Sequence, residues 1–189
     1  MTYQNHSQNK LTPVILNLKM KLLTHEISTP WGKIASVVDV TDTPTVIGAG
    51  FKPLAKLLKQ LPEKYKEFEI KKDTKLAGVT AVVNDWVEGD LDAFSQLKVL
   101  QPGGDFMQSC WKMLRKVKGG KVISYADLAE KAGNAKAVRA AGSACAKNLI
   151  APFIPCHRVV KTGGAIGNYA FGISLKKLLL THEGIHNLR

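Results

Sequence analysis

The chain is poor in cysteine, and its cysteines form no recognisable ligand or disulfide pattern. Its 189 residues include three cysteines, Cys110, Cys145 and Cys156, and no Cys-x-x-Cys pair. An odd, widely spaced set indicates a reducing compartment and argues against a disulfide scaffold or a four-cysteine zinc site. We therefore expect no metal bound by cysteines.

Long apolar runs are also missing. The apolar stretch 16–23 is interrupted by Asn17, Lys19 and Lys21, and no cleavage pattern follows it. We therefore predict neither a secretory signal nor a membrane span there, and no membrane partner. Residues 1–20 are expected to be flexible, since the first ten are polar. An apolar content of 45% is enough for the core of one large or two small domains.

Acidic residues are scarce only in the second half of the chain. Residues 1–100 hold 13 Lys and Arg against 11 Asp and Glu, a net charge of +2, whereas residues 101–189 hold 14 against 4, a net charge of +10. Lysine and arginine placed on phosphates release condensed counterions, so we expect a polyanion to bind the second half. Charge alone also fits RNA, an acidic membrane surface or a merely soluble basic surface.

The first half has the pattern of a mixed α and β domain. Alternating apolar residues predict strands, and apolar residues spaced by three and four predict helices. Both helical stripes are expected to face a core. The predicted segments are strands at 22–27, 34–40 and 45–47, helices at 54–61 and 76–87, and a solvated, mixed-charge stretch at 64–75.

A Gln-Pro-Gly-Gly break at 101–104 is the predicted domain boundary. It separates a scaffold domain, 21–100, from a second domain, 105–189. The second domain is predicted to be a series of short helices. The first of these has Cys110 on an apolar face with Phe106, Leu114 and Val117, so Cys110 is expected to be a packing residue.

Two short helices follow. Ser124 and Asp127 predict a capping box at the start of a helix over 125–131, and Asn134 is placed to cap a second helix over 135–147. Two helices joined by a tight turn with glycine, in a basic domain, are typical of a helix-turn-helix. The second helix is rich in small residues and lacks bidentate base readers, which predicts binding with little sequence preference. An alanine-rich helix packed into a core would have the same pattern.

The run 155–159, Pro-Cys-His-Arg-Val, places a thiol beside an imidazole within an apolar frame. Thiolate attacks and thiol hardly does, so a reactive cysteine needs a base or a positive field, and His157 and Arg158 could supply both to Cys156. Adjacent residues on an extended segment point to opposite faces, so contact between the ring and the sulfur stays open. The alternative is a buried structural cysteine beside a surface His-Arg pair.

The neighbouring motifs carry a family resemblance. They are 122–125, 134–142, Asn148, 155–159, 167–169 and 182–184. In this order and spacing they resemble the O6-alkylguanine-DNA alkyltransferases, also called methylated-DNA–protein-cysteine methyltransferases. The resemblance runs from Phe106 to Gly184, with only a turn at 29–32 before it. It implies an α+β fold: a ribonuclease-H-like N-terminal domain with a small antiparallel sheet and helices, and a mostly helical, winged-helix-like C-terminal domain with the helix-turn-helix and the reactive cysteine.

The resemblance also implies a reaction. Cys156 would take the alkyl group from O6-alkylguanine, or from O4-alkylthymine, in duplex DNA after nucleotide flipping, and would be inactivated irreversibly. His157 would act through a bound water, Glu183 would orient His157, and Asn148 would form a hinge beside the active-site segment. No metal or cofactor is implied. His182, a rival to His157, is expected at the surface.

For DNA, the resemblance makes Arg139 a finger that fills the space left by the flipped nucleotide. Tyr125 would drive the rotation from the neighbouring phosphate. The implied DNA-binding residues are Tyr125, Ala126, Asn134, Ala137, Arg139, Gly142 and Thr162, and the implied base-pocket residues are Tyr125, Val159, Tyr169 and Ala170, with backbone carbonyls of Cys156 and Val159 as acceptors. The expected partner is double-stranded DNA containing alkylated guanine. The protein is expected to be a monomer, cytoplasmic in a prokaryote or nuclear in a eukaryote.

Two other functions are possible. A non-enzymatic module that recognises alkylated DNA and recruits repair factors would match relatives that lack the reactive cysteine, so Cys156 argues against it. A methylation-responsive transcription factor would need a further cysteine-rich zinc domain. The three cysteines, all in the second half, are too few for that domain.

The size of the alkyl group is expected to matter. Phe171 stands where some relatives have glycine, and a ring there would narrow the base pocket. We therefore predict that methylguanine is repaired well and benzyl-type lesions poorly. Transfer rates measured on matched duplexes carrying either lesion test this, and equal rates would contradict it.

Overall fold

A computed structural model describes residues 21–188, so the predicted flexible segment 1–20 lies outside the described residues. The first half forms a four-stranded sheet of order β3-β2-β1-β4. Antiparallel pairs join β1 to β2, with Ile27 opposite Ile34, and β2 to β3. The strands are β1 (Lys21–Thr29), β2 (Gly32–Asp39), β3 (Thr45–Gly50) and β4 (Glu69–Lys72).

The prediction of a wholly antiparallel sheet is wrong in its last strand. β4 pairs with β1 in parallel, with Lys21 opposite Glu69, and it lies within the stretch predicted only as solvated. All four residues of β4 are exposed. No alternation of apolar and polar residues therefore marked this edge strand, which joins the sheet through the backbone ladder with β1.

Both faces of the sheet are covered. Ile34 and Val38 of β2 pack into the main core, which includes Trp86 of helix α2 (Val79–Val87). Ala35 and Val37, on the opposite face, pack against Leu57 of helix α1 (Leu54–Leu58). This alternation follows from the strand period of two. Helix α1 is shorter than the predicted 54–61, although Leu61 is still buried.

The second half is mostly helical. Its helices are α3 (Asp105–Leu114), α4 (Tyr125–Lys131), α5 (Val138–Ala146) and α6 (Ile173–His182). Two short parallel strands, β5 (Ile123–Ser124) and β6 (Val159–Val160), connect the helices to the segment that carries Cys156. Cys110 and Leu114 are buried on α3, so the prediction that Cys110 packs in the core is confirmed.

Helix α5 begins later than predicted. Its N-cap is Ala137, without a side-chain cap, so the prediction that Asn134 caps a helix starting at 135 is wrong. Asn134 Oδ1 instead accepts the Lys136 N–H at 3.1 Å, and its carbonyl accepts the Ala137 N–H at 2.9 Å. Asn134 thus closes a turn before the helix.

The break at 101–104 does not separate the packing of the two halves. Ala49 of the first half donates its N–H to Leu149 O of the second half at 2.8 Å. The main core includes residues of both halves. The active-site segment therefore rests directly on the sheet. Among residues 21–188, no helix is both long and apolar enough to cross a membrane.

The predicted capping box of α4 is confirmed. Ser124 Oγ accepts the Asp127 N–H at 3.0 Å, and Asp127 Oδ2 accepts the Ser124 N–H at 2.8 Å. We expect Ser124→Ala to lower the free energy of unfolding by about 1 kcal/mol in urea titrations. Ser95→Ala, at an exposed serine outside such a cap, is the control. Equal losses in the two variants would contradict the capping role.

Candidate active site

Cys156 opens a single turn of 3-10 helix, Cys156–Arg158, within a wholly buried segment, 150–160. Its sulfur lies 3.1 Å from Asn148 Nδ2, which donates to it. Burial raises the pKa of the Cys156 thiol, and the Asn148 hydrogen bond and the Lys176 charge oppose this rise. The environment therefore disfavours a permanent thiolate while supplying groups that stabilise it when it forms.

Asn148 follows helix α5 and faces the active-site segment. Its Nδ2 also donates to Ile154 O at 2.7 Å, and its Oδ1 accepts the Ile150 N–H at 3.0 Å. Asn148 is buried, so these bonds satisfy both ends of its amide. The residue predicted as a hinge thus connects α5 to the backbone before Cys156.

His157 and Glu183 form a buried pair. His157 Nε2 lies 3.0 Å from Glu183 Oε1, and both side chains are fully buried. Burial raises the pKa of Glu183, but hydrogen bonds and charge from His157 and Arg158 outweigh it and bring this pKa to about 2. Burial lowers the pKa of His157 more than Glu183 raises it. Glu183 is therefore ionised and His157 neutral at rest.

This ionisation determines the histidine tautomer. An ionised Glu183 can only accept, so His157 Nε2 carries the proton and Nδ1 has a free lone pair. Nδ1 is buried and has no hydrogen-bond partner among the described residues. His157 can thus take up a proton at Nδ1 while Glu183 stabilises the charged ring.

The positive charge of Arg158 does not stabilise a thiolate at Cys156. Its Nε lies 3.0 Å from Glu183 Oε2 and its Nη2 2.8 Å from Glu183 Oε1. The same guanidinium donates to Val117 O and Leu91 O. The alternative of a surface His-Arg pair is wrong, since both residues are buried. The expectation that Arg158 supplies a positive field to Cys156 is also wrong, because its charge is paired with Glu183.

Lys176, which the sequence analysis missed, supplies that charge. It is fully buried on α6, and its Nζ donates to Val159 O and, at 3.3 Å, to Asn168 O. Burial lowers the pKa of Lys176 to about 8, and the neighbouring thiols of Cys156 and Cys145 oppose this.

A periodicity could have revealed this lysine. Lys176, Leu179, Leu180 and Glu183 are all buried and follow the spacing i, i+3, i+4 and i+7 of one helix face. Leu178 lies off this face and is 51% exposed.

A cavity of about 640 Å³ opens beside Cys156. It is enclosed by α5, the start of α4 and the segment before α6. The predicted site residues in its wall are Tyr125, Arg139, Gly142, Cys156, Tyr169 and Ala170. Cys145 also lines it. The fold thus brings together residues up to 45 positions apart around one sulfur, from Tyr125 to Ala170.

Two phenols contribute polar groups. Tyr125 Oη lies 3.4 Å from Asn168 O, and burial raises the pKa of Tyr125 to about 12. Burial also raises the pKa of Tyr169, whose buried Oη has no partner among the described residues. Both phenol hydroxyls therefore stay protonated near neutral pH and can donate hydrogen bonds to a ligand.

Some predicted residues lie outside the cavity wall. Val159 is buried, and its carbonyl accepts from Lys176. Phe171 packs on Phe51 and Tyr169, at ring-centroid distances of 5.9 and 5.4 Å. Phe171 is thus not among the residues that line the cavity. The expected difference between methyl and benzyl lesions stays a prediction.

The remaining predicted DNA contacts lie near the surface. Asn134 and Thr162 are exposed, and Ala126 and Ala137 are partly buried. His182, predicted at the surface, is partly buried. Its ring centroid lies 4.5 Å from that of Trp31, with the rings tilted by 49°, and its Nε2 lies 2.9 Å from the Trp86 carbonyl oxygen.

Within the described part of the chain, no group of three or more His, Cys, Asp or Glu side chains could hold an ion.

Comparison with known proteins gives consistent matches. The family model for the 6-O-methylguanine DNA methyltransferase, DNA binding domain, matches residues 105–185. The methylated-DNA–protein-cysteine methyltransferase of Homo sapiens is 54% identical over 77 residues, covering 41% of this chain and 37% of that protein. The protein of the same name in Salmonella typhimurium is 30% identical over 166 residues, covering 87% of this chain and 97% of that protein.

Solved structures match over most of the chain. The O6-methylguanine methyltransferase of Mycobacterium tuberculosis has a TM-score of 0.68 and 25% identity, with 88% of this chain and 94% of that chain covered. The mixed α and β fold of both halves is therefore shared with this structure. The alignments with the mammalian relatives, in contrast, span only 37–42% of the length of those proteins.

The Glu183 carboxylate should make the free energy of unfolding depend on pH in the acid range. Its pKa is lower in the folded state than in the unfolded chain, so its contribution is full above about pH 4 and is lost as the pH falls toward 2. At pH 7 we expect Glu183→Gln to cost on the order of 3 kcal/mol, because Arg158 then lacks its partner. This deficit should shrink between about pH 4 and pH 2.

Urea unfolding of both proteins at stepped pH measures the effect. Glu130→Gln, at an exposed glutamate of α4, is the matched control and should show a small deficit that does not depend on pH. A Glu183→Gln deficit that stays constant down to acid pH would contradict the role of the buried pair.

Proposed function

This chain belongs to the methylated-DNA–protein-cysteine methyltransferase family, and we propose that it repairs DNA by moving the alkyl group of O6-alkylguanine onto Cys156. The observation that carries the proposal is the position of the sulfur. Cys156 lines a cavity large enough for a base, accepts a hydrogen bond from Asn148 and lies next in the chain to the His157–Glu183 pair. A nucleophile, a stabilising donor and a base are thus present in one site.

In this proposal His157 takes the proton of the Cys156 thiol at Nδ1 through one water molecule. Glu183 holds the ring by Nε2 and stabilises its positive charge. Asn148 and Lys176 stabilise the thiolate. The sulfur then attacks the alkyl carbon, a C–S bond forms, the C–O6 bond breaks, and the electrons pass to the guanine. The proton held by His157 then returns through the water to the guanine anion, which restores neutral guanine.

The thioether product predicts that each protein molecule accepts one alkyl group. A thioether on Cys156 is not hydrolysed. We therefore propose irreversible self-inactivation, with no cofactor or metal. O4-alkylthymine presents a similar alkylated oxygen and is proposed as a second substrate.

Access to the cavity requires a flipped nucleotide. O6 of guanine is inside the base stack, so the alkyl group reaches a buried sulfur only when the base leaves the duplex. Arg139, exposed on α5 at the cavity wall, is proposed to fill the vacated space. Tyr125, also in the wall, is proposed to drive the rotation.

The proposed DNA surface is the basic second half. Its net charge of +10 favours phosphates, and the small residues of α5 allow close approach to a groove. We propose that α4 and α5 form a helix-turn-helix within a winged-helix-like domain and that the first half is ribonuclease-H-like. Ala126, Asn134, Ala137, Gly142 and Thr162 are proposed contacts. The protein is proposed to bind duplex DNA as a monomer.

The transfer can be tested by intact mass. The wild-type chain mixed with a duplex carrying O6-methylguanine should gain one methyl group, mapped by peptide mass to Cys156, and Cys156→Ala should gain none. Cys110→Ala, at a buried thiol outside the cavity, should react like the wild type. Continued turnover would contradict the single-use reaction. Tight lesion binding without any adduct would instead support a recognition module.

A further inference from the structure

Gln101 lies in the connection between the two halves of the chain and is 4% exposed. The backbone at this position is held at two points. The preceding residue, Leu100, donates its N–H to Val46 O at 2.9 Å, and Gln108 Nε2 donates to the Gln101 carbonyl oxygen at 2.7 Å. Its side chain reaches residues 47 and 48 positions later in the sequence, beside the active-site segment. Gln101 therefore couples the scaffold to the segment that carries the reactive sulfur.

The orientation of the Gln101 amide is determined by its partners. The Leu149 backbone N–H can only donate, and it lies 2.6 Å from Gln101 Oε1. The NH2 end of Gln101 must then point the other way, where it lies 3.2 Å from Asn148 Oδ1. A glutamine amide has an acceptor end and a donor end, so one unambiguous donor orients the whole group.

The same logic continues to the sulfur. Asn148 Oδ1 accepts from Gln101 Nε2 and from the Ile150 N–H at 3.0 Å, so this end of the Asn148 amide is the oxygen. The opposite end is therefore NH2, and it lies 3.1 Å from Cys156 Sγ. If the Asn148 amide were flipped, an oxygen would face the sulfur and would repel a thiolate.

We propose that Gln101 is a positioning residue for Cys156, which acts with the Ile150 N–H and the Ile154 carbonyl to hold the Asn148 amide so that its NH2 group, and not its oxygen, faces the sulfur. This proposal rests on the proposed alkyl transfer, because it concerns the same sulfur. It assigns the connection between the two halves a part in the reactivity of the second. A donor aimed at the sulfur favours the thiolate over the thiol.

The first test uses Gln101→Leu, which removes both ends of the amide. The matched control is Gln108→Leu, which removes a glutamine amide bonded to the same Gln101 residue but not to Asn148. Two quantities are measured: the pKa of the Cys156 thiol, from the pH dependence of its alkylation by iodoacetamide with peptide mapping, and the rate of methyl transfer from saturating methylated duplex.

Gln101→Leu should raise the thiol pKa by about one unit and slow transfer at pH 7 about tenfold. Gln108→Leu should leave both unchanged, and both variants should bind undamaged duplex like the wild type. A folded Gln101→Leu protein with the wild-type thiol pKa and the wild-type rate overturns the proposal. An equal loss in Gln108→Leu also overturns it, because the effect would then come from the local packing.

A second variant covers the case in which Gln101→Leu does not fold. Gln101→Glu has nearly the same shape and keeps an acceptor for the Leu149 N–H. Its second oxygen donates to Asn148 Oδ1 when protonated but repels it when ionised. Transfer should therefore slow about tenfold where the introduced carboxyl is ionised and recover as the pH falls, whereas the wild-type rate rises with pH. A wild-type pH profile in this variant overturns the proposal.

The two proposals fail in different ways. If the wild-type chain forms no methyl adduct at Cys156, the proposed function fails, yet the iodoacetamide measurement still tests Gln101. If the wild type is methylated and neither Gln101 variant changes the thiol pKa or the rate, only the positioning role fails.

Discussion

The buried ion pair between Arg158 and Glu183 is the interaction on which the rest of the site depends. Burying two charges is costly unless they are paired and their remaining hydrogen bonds are made. Here the guanidinium binds both carboxylate oxygens and the carbonyls of Val117 and Leu91, so it ties the end of α6 to the turn after α3 and to the first half of the chain. Glu183 therefore stays ionised, and that charge sets the tautomer of His157.

The sulfur of Cys156 is in a different balance. Its burial opposes the thiolate, and the groups that oppose this effect are the neutral amide of Asn148 and the ammonium of Lys176, not the guanidinium of Arg158. Each comes from a different part of the chain: Asn148 from the end of α5, Lys176 from α6 and, one bond further, Gln101 from the connection between the halves. The reactivity of one side chain is thus a property of the whole packing arrangement, because none of these partners is local in sequence.

Particular elements show how far the sequence could be interpreted. The capping box of α4 and the buried face of α3 were predicted correctly because their signals lie within one helical turn or repeat with the helical period. The strand β4 was missed because an exposed edge strand has no alternating apolar pattern. Helix α5 starts three residues later than predicted, because Asn134 can close a turn as well as cap a helix. Phe171 was placed in the pocket by position in the motif, but packing turned its ring toward Phe51.

The sequence by itself determined the chemical inventory: a thiol, an imidazole and a carboxylate at fixed spacings, a basic second half, and small residues on one helix. The spacings and the small residues are local in the sequence, and the net charge is a sum over residues, so all of them can be found without coordinates. Only the tertiary structure determined which charged groups pair with one another. It paired Arg158 with Glu183, buried Lys176 beside the sulfur, and oriented the amides of Gln101 and Asn148. Hydrogen-bond direction and ion pairing depend on neighbours from distant segments, and no spacing in a linear sequence specifies them.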